Sequence, residues 1–322
     1  MTPVQQPESP WNWLRRKLYS ARLPHNMRHM RKSHPDFRLA GAHGVLDTVY
    51  WRGKPVGRIL PLERLTRAIA PDCFIVATGP SINQIDFSHL QGRTCIGVNG
   101  SILKSEEYSL PFRSHVIADR QFFMGRFELV RKALMSGAEC LFTFRGLSVI
   151  CERQPELLRD ARVFLLDEMT ARFGQPRLSA VDFNAAADRD PDLVLHPSAR
   201  PSKGWVGFSR DIRKGVFTGQ TIAFSALQVA VWLGYTRIFI LGMDLGGTGE
   251  GARFYESGEK AAPMRLGRDY ESYIQPAFEV ASKLRSALGI QIYNLSPDSR
   301  LPAAIIPKLS FADALEMIRQ PA

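Results

Sequence analysis

From Asp72 onward the chain repeats one pattern, a short apolar run closed by a glycine or polar cluster and then a helical stretch. The runs are Cys73 to Ala77, Thr94 to Val98, His115 to Ala118, Glu139 to Phe144, Arg162 to Leu166, Arg237 to Leu241 and Ile290 to Tyr293. Short continuous runs are strands covered on both faces, and strands spaced by helices form a parallel sheet with crossover connections. The pattern predicts one α/β domain over residues 71–322, Rossmann-like, with a mostly parallel sheet and helices on both faces. Its best-defined helix runs from Thr221 to Leu233, is apolar on nearly every side and therefore buried, and stops at Gly234 just before the strand RIFIL. The Asp-, Ala-, Pro- and Ser-rich stretch 172–215 reads as an insertion or lid.

Residues 1–70 have another character. They carry 13 of the Lys and Arg residues against four acids, which accounts for nine of the eleven net positive charges of the chain. Trp11, Trp13, Leu14, Leu18 and Tyr19 lie among these cations. Rings and aliphatic chains interleaved with basic residues suit the interface of an anionic bilayer, where cations meet phosphate and apolar groups enter the headgroup layer. At this level a nucleic-acid arm or a solvated basic tail fits as well. The segment is expected to be a basic, membrane-proximal extension.

An apolar share of 45% with 23% charged residues excludes a disordered or fibrous chain. Cys73, Cys95, Cys140 and Cys151 show no CxxC spacing, and the chain shows no secretory signal and no run of about 20 apolar residues. Reduced core thiols and a cytoplasmic, non-spanning protein are expected. The seven histidines form no ligand spacing flanked by acids, so no metal and no cofactor are expected.

In an open parallel sheet, ligands gather beyond the carboxyl ends of the strands. Those ends are polar here: Thr78, Gly79, Pro80 and Ser81 follow the first run, Asn99 the second, Asp119 the third, Gly242 and Asp244 the sixth, and Asn294, Ser296, Ser299 and Arg300 the seventh. The turn TGPS lacks dinucleotide and P-loop spacing, yet Gly79 admits close backbone approach and Ser81 offers a hydroxyl; a simple helix cap by Ser81 reads equally well. Thr218, Gly219 and Thr221 open the buried helix, where unpaired N–H groups favour phosphate or merely need a cap. Asp244 leads into a glycine-rich loop ending in Arg253 and Tyr255, a cation and a phenol placed to meet phosphate oxygens if the loop closes over a ligand.

The motifs GFSRDI, TIAF, LGMDL, RFY and IYNLSPDSRL followed by IIP, with ATGPS, VNGS and IADRQFF upstream, resemble the RfaZ/WaaZ family of lipopolysaccharide core biosynthesis proteins over roughly residues 72–310. That family is taken to transfer 3-deoxy-D-manno-octulosonic acid (Kdo) from CMP-Kdo to the inner core. More distantly, GPSINQID, LGYTRIFILGMD and IYNLSPDS are similar to bacterial CMP-sialic-acid-dependent sialyltransferases, which implies a sialyltransferase-like (GT-A variant) fold.

The resemblance implies that Gly79, Ser81 and Asn99 bind CMP and that Tyr255, with Arg253, assists departure of the phosphate. It also implies metal-independent inversion and a lipid-anchored acceptor at the inner face of the inner membrane, where residues 1–70 would hold the enzyme, with no nucleic acid as partner. The sialyltransferases place a histidine base before the last strand, and RDYESYIQ (268–275) has none. Asp269 is the candidate base, with a helix cap as its other reading. Arg300, beside Ser296 and Ser299, is placed to hold the sugar carboxylate or the CMP phosphate. Rival readings are a sialyltransferase or other CMP-ulosonic acid transferase, and a non-catalytic nucleotide- or nucleic-acid-binding protein.

Overall fold

The computed structural model of the protein describes residues 10–197, 205–246, 253–256 and 269–319. Before the main sheet come β1 (Phe37–Ala40), β2 (Thr48–Trp51) and β3 (Lys54–Arg58), an antiparallel meander. The main sheet holds β4 (Asp72–Val76), β5 (Cys95–Val98), β6 (Ser114–Ile117), β7 (Glu139–Phe142) and β8 (Val163–Leu165). A two-stranded ribbon, β9 (Leu193–Leu195) and β10 (Gly207–Ser209), precedes β11 (Arg237–Leu241) and β12 (Gln291–Asn294), which return to that sheet.

All seven strands of the main sheet are parallel, in the order β12-β11-β4-β5-β6-β7-β8. They coincide with the seven apolar runs. Successive side chains serve opposite faces, as the strand repeat of two requires. Cys73, Ile75 and Ala77 pack with the helices Ile222–Leu233 and Gln275–Leu288, while Phe74 and Val76 pack with Phe87, Leu110, Leu295 and Ala314. From β4 the chain builds outward through β5 to β8, then crosses back to add β11 and β12 on the other side. The strand order therefore reverses between β4 and β11, and a crevice opens at such a switch point outside the strand ends.

The helix Ile222–Leu233 ends at Gly234, whose left-handed φ of 99° lets Tyr235 N–H reach the Ala230 carbonyl. Its fully buried Gln228 accepts from Ser209 N–H and Phe217 N–H at 3.0 Å each and donates to the Phe217 carbonyl at 2.7 Å. That side chain staples the ribbon to the core. The insertion over 172–215 is accordingly packed structure where it is described: Phe183, Ala187, Val206 and Phe208 join the main apolar cluster. Residues 198–204 of that candidate lid lie outside the described residues.

The N-terminal 70 residues also differ from the expected extension. The helix Pro10–Arg22 does present Trp11, Trp13, Leu14 and Leu18 to solvent. The segment behind it is folded onto the body: Met30, Phe37, Leu39, Val49 and Ile59 are buried with Phe123, Phe142 and Leu147, and Leu60 N–H bonds the Val163 carbonyl at 2.8 Å. The turn Arg52–Gly53, both at positive φ, joins β2 to β3 as a tight hairpin. Residues 1–9 of this segment are outside the described residues. The four cysteines are free and buried. Among the described residues no helix is long and apolar enough to cross a membrane.

Candidate functional site

At the switch point the ends of β4, β11 and β12 are tied together by Asp244. Its carboxylate accepts from Ser81 N–H at 2.9 Å and from the Ser81 hydroxyl, which also lies 3.0 Å from Ser296 Oγ. Gly79 N–H bonds the Gly242 carbonyl at 2.8 Å, and a Cβ on Gly79 would overlap Asp244 Oδ2. Only glycine therefore allows this approach. Pro80 opens the short 3₁₀ helix Pro80–Gln84, and Gly79, with no side chain to offer, sits at its N-cap. The Ser81 hydroxyl is thus spent on Asp244 and not on capping. A carboxylate in this position disfavours a phosphate alongside it and leaves its remaining lone pairs suited to sugar hydroxyls.

The end of β5 adds Asn99. Its φ is +47°, unusual for a residue with a side chain, and its carbonyl accepts from His115 Nε2–H at 2.8 Å. His115 is fully buried, and burial lowers its pKa to about 4, so the ring is neutral and Nε2 carries the proton. Asn99 Oδ1 has no hydrogen-bond partner. Beside it, Tyr255 lays its ring where a Cβ of Gly100 would stand, and Phe254 N–H bonds the Thr78 carbonyl at 3.0 Å. The Tyr255 hydroxyl lies near Thr78 without completing a hydrogen bond, and burial pushes its pKa well above the usual phenol value. It is a protonated donor held in reserve beside the β4 turn.

Arg253 is not an isolated cation. It pairs at 3.0 Å with Glu256, whose side chain is 2% exposed and also meets Arg126 at 2.9 Å. Two guanidinium groups share this one buried carboxylate beside Tyr255. The glycine-rich stretch 247–252 that precedes them lies outside the described residues.

In the last turn, Asn294, Ser296 and Ser299 are buried and shape the loop instead of lining its surface. Asn294 Oδ1 accepts from Ser296 N–H at 3.1 Å, and Ser299 donates to the Met243 carbonyl at 2.6 Å. Arg300 reaches outward. Its backbone N–H bonds the Asp244 carbonyl at 3.0 Å, and its guanidinium lies 3.9 Å from the Tyr270 ring centre and 3.6 Å from Glu271. Lys308, which sequence reasoning missed, ties this turn by donating to the Pro297 and Ser299 carbonyls at 2.7 and 2.9 Å. Glu256, Arg126 and His115 were missed too, because their roles depend on partners distant in sequence.

Thr218, Gly219 and Thr221 open the helix Ile222–Leu233, which as a crossover before β11 starts on this same edge of the sheet. Thr221 occupies the N-cap position and makes no side-chain cap bond; Gly219 packs against Phe224 and Ala277. Asp269 holds the N-cap position of the π-helix Tyr270–Ile274, also without a side-chain cap bond, and Arg268 before it lies outside the described residues. Asp119, at the end of β6, is a helix cap that accepts from Gln121 N–H at 2.9 Å. The structure thus brings Gly79, Pro80, Ser81, Asn99, Asp244, Tyr255 and Ser296 together and leaves Asp119 two strands from β4. Among the described residues no three His, Cys, Asp or Glu side chains gather as a metal would require.

The chain is similar to known proteins. The family model described as 3-deoxy-D-manno-octulosonic acid transferase WaaZ matches residues 62–312. Probable 3-deoxy-manno-octulosonic acid transferases of Escherichia coli K12 and Salmonella typhimurium LT2 are each 27% identical, over 247 and 254 residues, covering 76% and 78% of this chain and 84% and 91% of theirs. Among solved structures, the α-2,3-sialyltransferase Cst-I of Campylobacter jejuni aligns with a TM-score of 0.41 at 15% identity, covering 76% of this chain and 82% of that one. The sialyltransferase CstII of the same organism, in complex with a substrate analogue, aligns with a TM-score of 0.42 at 16% identity over 75% and 86%. By the family match over most of its length, the chain belongs to the WaaZ family of 3-deoxy-D-manno-octulosonic acid transferases and is a CMP-sugar-dependent glycosyltransferase of lipopolysaccharide biosynthesis.

Proposed function

We propose that the chain transfers Kdo from CMP-Kdo to a lipid-anchored core acceptor, with inversion and without a metal, and that the strand-end cluster at the β4/β11 switch point is its donor site. The observation that carries this reading is the meeting of Gly79, Asn99, Asp244, Tyr255 and Ser296 at one crevice. The Gly79 turn and the Asn99 amide hold the nucleoside, with Asp244 suited to its hydroxyls. Arg300 neutralises the sugar carboxylate. Tyr255 gives its hydrogen bond to the departing phosphate, with the Arg253 guanidinium beside it.

The acceptor hydroxyl attacks the anomeric carbon opposite the leaving group. A new C–O bond forms, the bond to the phosphate breaks, CMP leaves and Asp269 takes the acceptor proton. Such general-base help contributes about 10²- to 10⁴-fold. The developing negative charge on CMP is met by arginine and tyrosine, so no Lewis acid is needed.

The helix Pro10–Arg22 supports work at an anionic membrane face. Trp11, Leu14 and Leu18 are exposed and share one side of the helix at spacings of three and four, while Arg15 and Arg16 tie the helix to the body through Asp36 and Glu152. A large apolar stripe on a basic helix with no protein cover matches a bilayer interface.

The test measures CMP release from CMP-Kdo and from CMP-sialic acid, with a phosphorylated core acceptor and a chelator present. Acceptor-dependent release from CMP-Kdo alone is expected. Preference for CMP-sialic acid, or release that stops on chelation, contradicts the reading.

A further inference from the structure

On the β6 and β7 side of the same edge, an open groove of about 340 Å³ lies between the N-terminal helix and the start of the helix Arg120–Gly125. Trp13, Arg16, Lys17, Arg31, Lys32 and Arg120 line it, and among the described residues no acidic side chain does. Arg16 is offset by Glu152. Behind the groove stands Arg145, 7% exposed, which opens the helix after β7, lies over the Phe144 ring and gives Nη1 to Glu168 at 2.8 Å. Its buried Nε has no hydrogen-bond partner. A second contact closes the ensemble: Arg177 N–H bonds the Asn26 carbonyl at 2.9 Å and brings another guanidinium to the cluster.

These cations lie close enough to act on one another. Partial burial and the Arg145 charge lower the pKa values of Lys32 and Arg177. The Glu168 carboxylate acts on Lys32 and Arg177 in the opposite sense. Gathering like charges in partial isolation from water costs stability, and a bound anion returns it through charge-assisted hydrogen bonds.

The groove is also placed for a second substrate. Arg120 follows the end of β6, two strand positions and therefore roughly 10 Å from the Gly79 turn. The helix Pro10–Arg22 forms its other wall through Trp13, Arg16 and Lys17, while the apolar stripe of Trp11, Leu14 and Leu18 lies on a different side of that helix. One side can thus meet lipid while another faces the groove.

We propose that this cationic groove is the subsite for an anionic group, a phosphate or a sugar carboxylate, carried by the saccharide part of the acceptor. The inference rests on reading the chain as a sugar transferase and adds how the acceptor is held. Binding its anion near Arg31 and Lys32 positions the saccharide across the strand ends toward the donor, and the lipid anchor leaves along the exposed helix.

The probe is inorganic pyrophosphate, titrated calorimetrically into the full chain with and without saturating CMP. The wild type is expected to bind it in both conditions. Lys32→Ala and Arg31→Ala should each weaken that binding about tenfold, the worth of one charge-assisted contact, and leave CMP affinity unchanged. Sedimentation with phosphatidylglycerol/phosphatidylcholine vesicles separates the two sources of phosphate. Lys32→Ala should leave it within about twofold, because Lys32 contributes little to the helix face that meets lipid. Displacement of pyrophosphate by CMP, or equal binding by the variants, overturns the proposal. So does a Lys32→Ala chain that loses vesicle binding and keeps pyrophosphate binding. CMP-independent pyrophosphate binding supports the groove even if no Kdo is transferred, so failure of the donor reading stays distinguishable.

Discussion

The ends of β4, β11 and β12 meet in a cluster of glycines, hydroxyls and amides organised around the Asp244 carboxylate, with Arg300 at its margin. The ends of β6, β7 and β8 carry Arg120, Arg145 and Glu168 and face the basic segment His25–Lys32. One half is pre-organised by hydrogen bonds to a single carboxylate. The other gathers cations, with Glu168 on Arg145 and Glu152 on Arg16. A close-fitting turn suits selection of a nucleotide by shape; a groove lined by several cations suits capture of an anion whose position need only be approximate. Tyr255 stands between them, its ring over Gly100 and its neighbour Glu256 held by Arg126 from the cationic side.

The largest effect is expected at that boundary. Tyr255→Phe keeps the ring over Gly100 and removes a hydroxyl that has no complete partner, so Tm should hold or rise while kcat falls about 10²- to 10³-fold. A kcat within threefold of wild type would move the leaving-group donor elsewhere.

His115 joins the halves from below. Its pKa is about 4 in the fold against 6.5 for the free side chain, so the unfolded chain binds more protons between these values. Stability is complete above about pH 6.5 and falls as pH drops toward 4, by roughly 3 kcal/mol from this residue. The lowered pKa values of His29 and His34 act in the same direction. In His115→Gln, denaturant titrations should show a smaller loss between pH 7 and 4.5; an unchanged slope would mean that the ring is not buried neutral.

The smallest effect concerns the outer face of the N-terminal helix. Trp11→Ser and Leu18→Ser should each lower vesicle binding about tenfold, the worth of one buried large apolar side chain, and leave Tm unchanged because both residues are exposed. Loss of soluble acceptor turnover with unchanged vesicle binding would assign this face to the groove.

The main sheet was legible because its strands are covered on both sides and read as continuous apolar runs, and the crevice followed from the polar residues after each run. Individual roles were less legible. Ser81 looked like a cap or a ligand hydroxyl and is occupied by Asp244, 163 positions away in sequence. Asn294, Ser296 and Ser299 read as candidate ligand groups after the seventh run and are enclosed. The strands β1 to β3 escaped notice because they are four or five residues long and lie in a segment whose cations dominated its reading, although Phe37, Leu39 and Val49 mark the buried side. The groove was invisible because Lys17, Lys32, Arg120 and Arg145 come from segments that only the fold brings together.

Asn99 tests the donor site most directly. It holds a left-handed backbone that glycine adopts without strain, and its amide oxygen has no partner in the protein. Calorimetric titration of CMP into wild type and Asn99→Gly, with Tm measured alongside, separates binding from folding. An affinity loss of about tenfold at an equal or higher Tm is predicted for the variant. Equal CMP affinity in the two proteins would place the nucleotide away from the β4/β11 crevice.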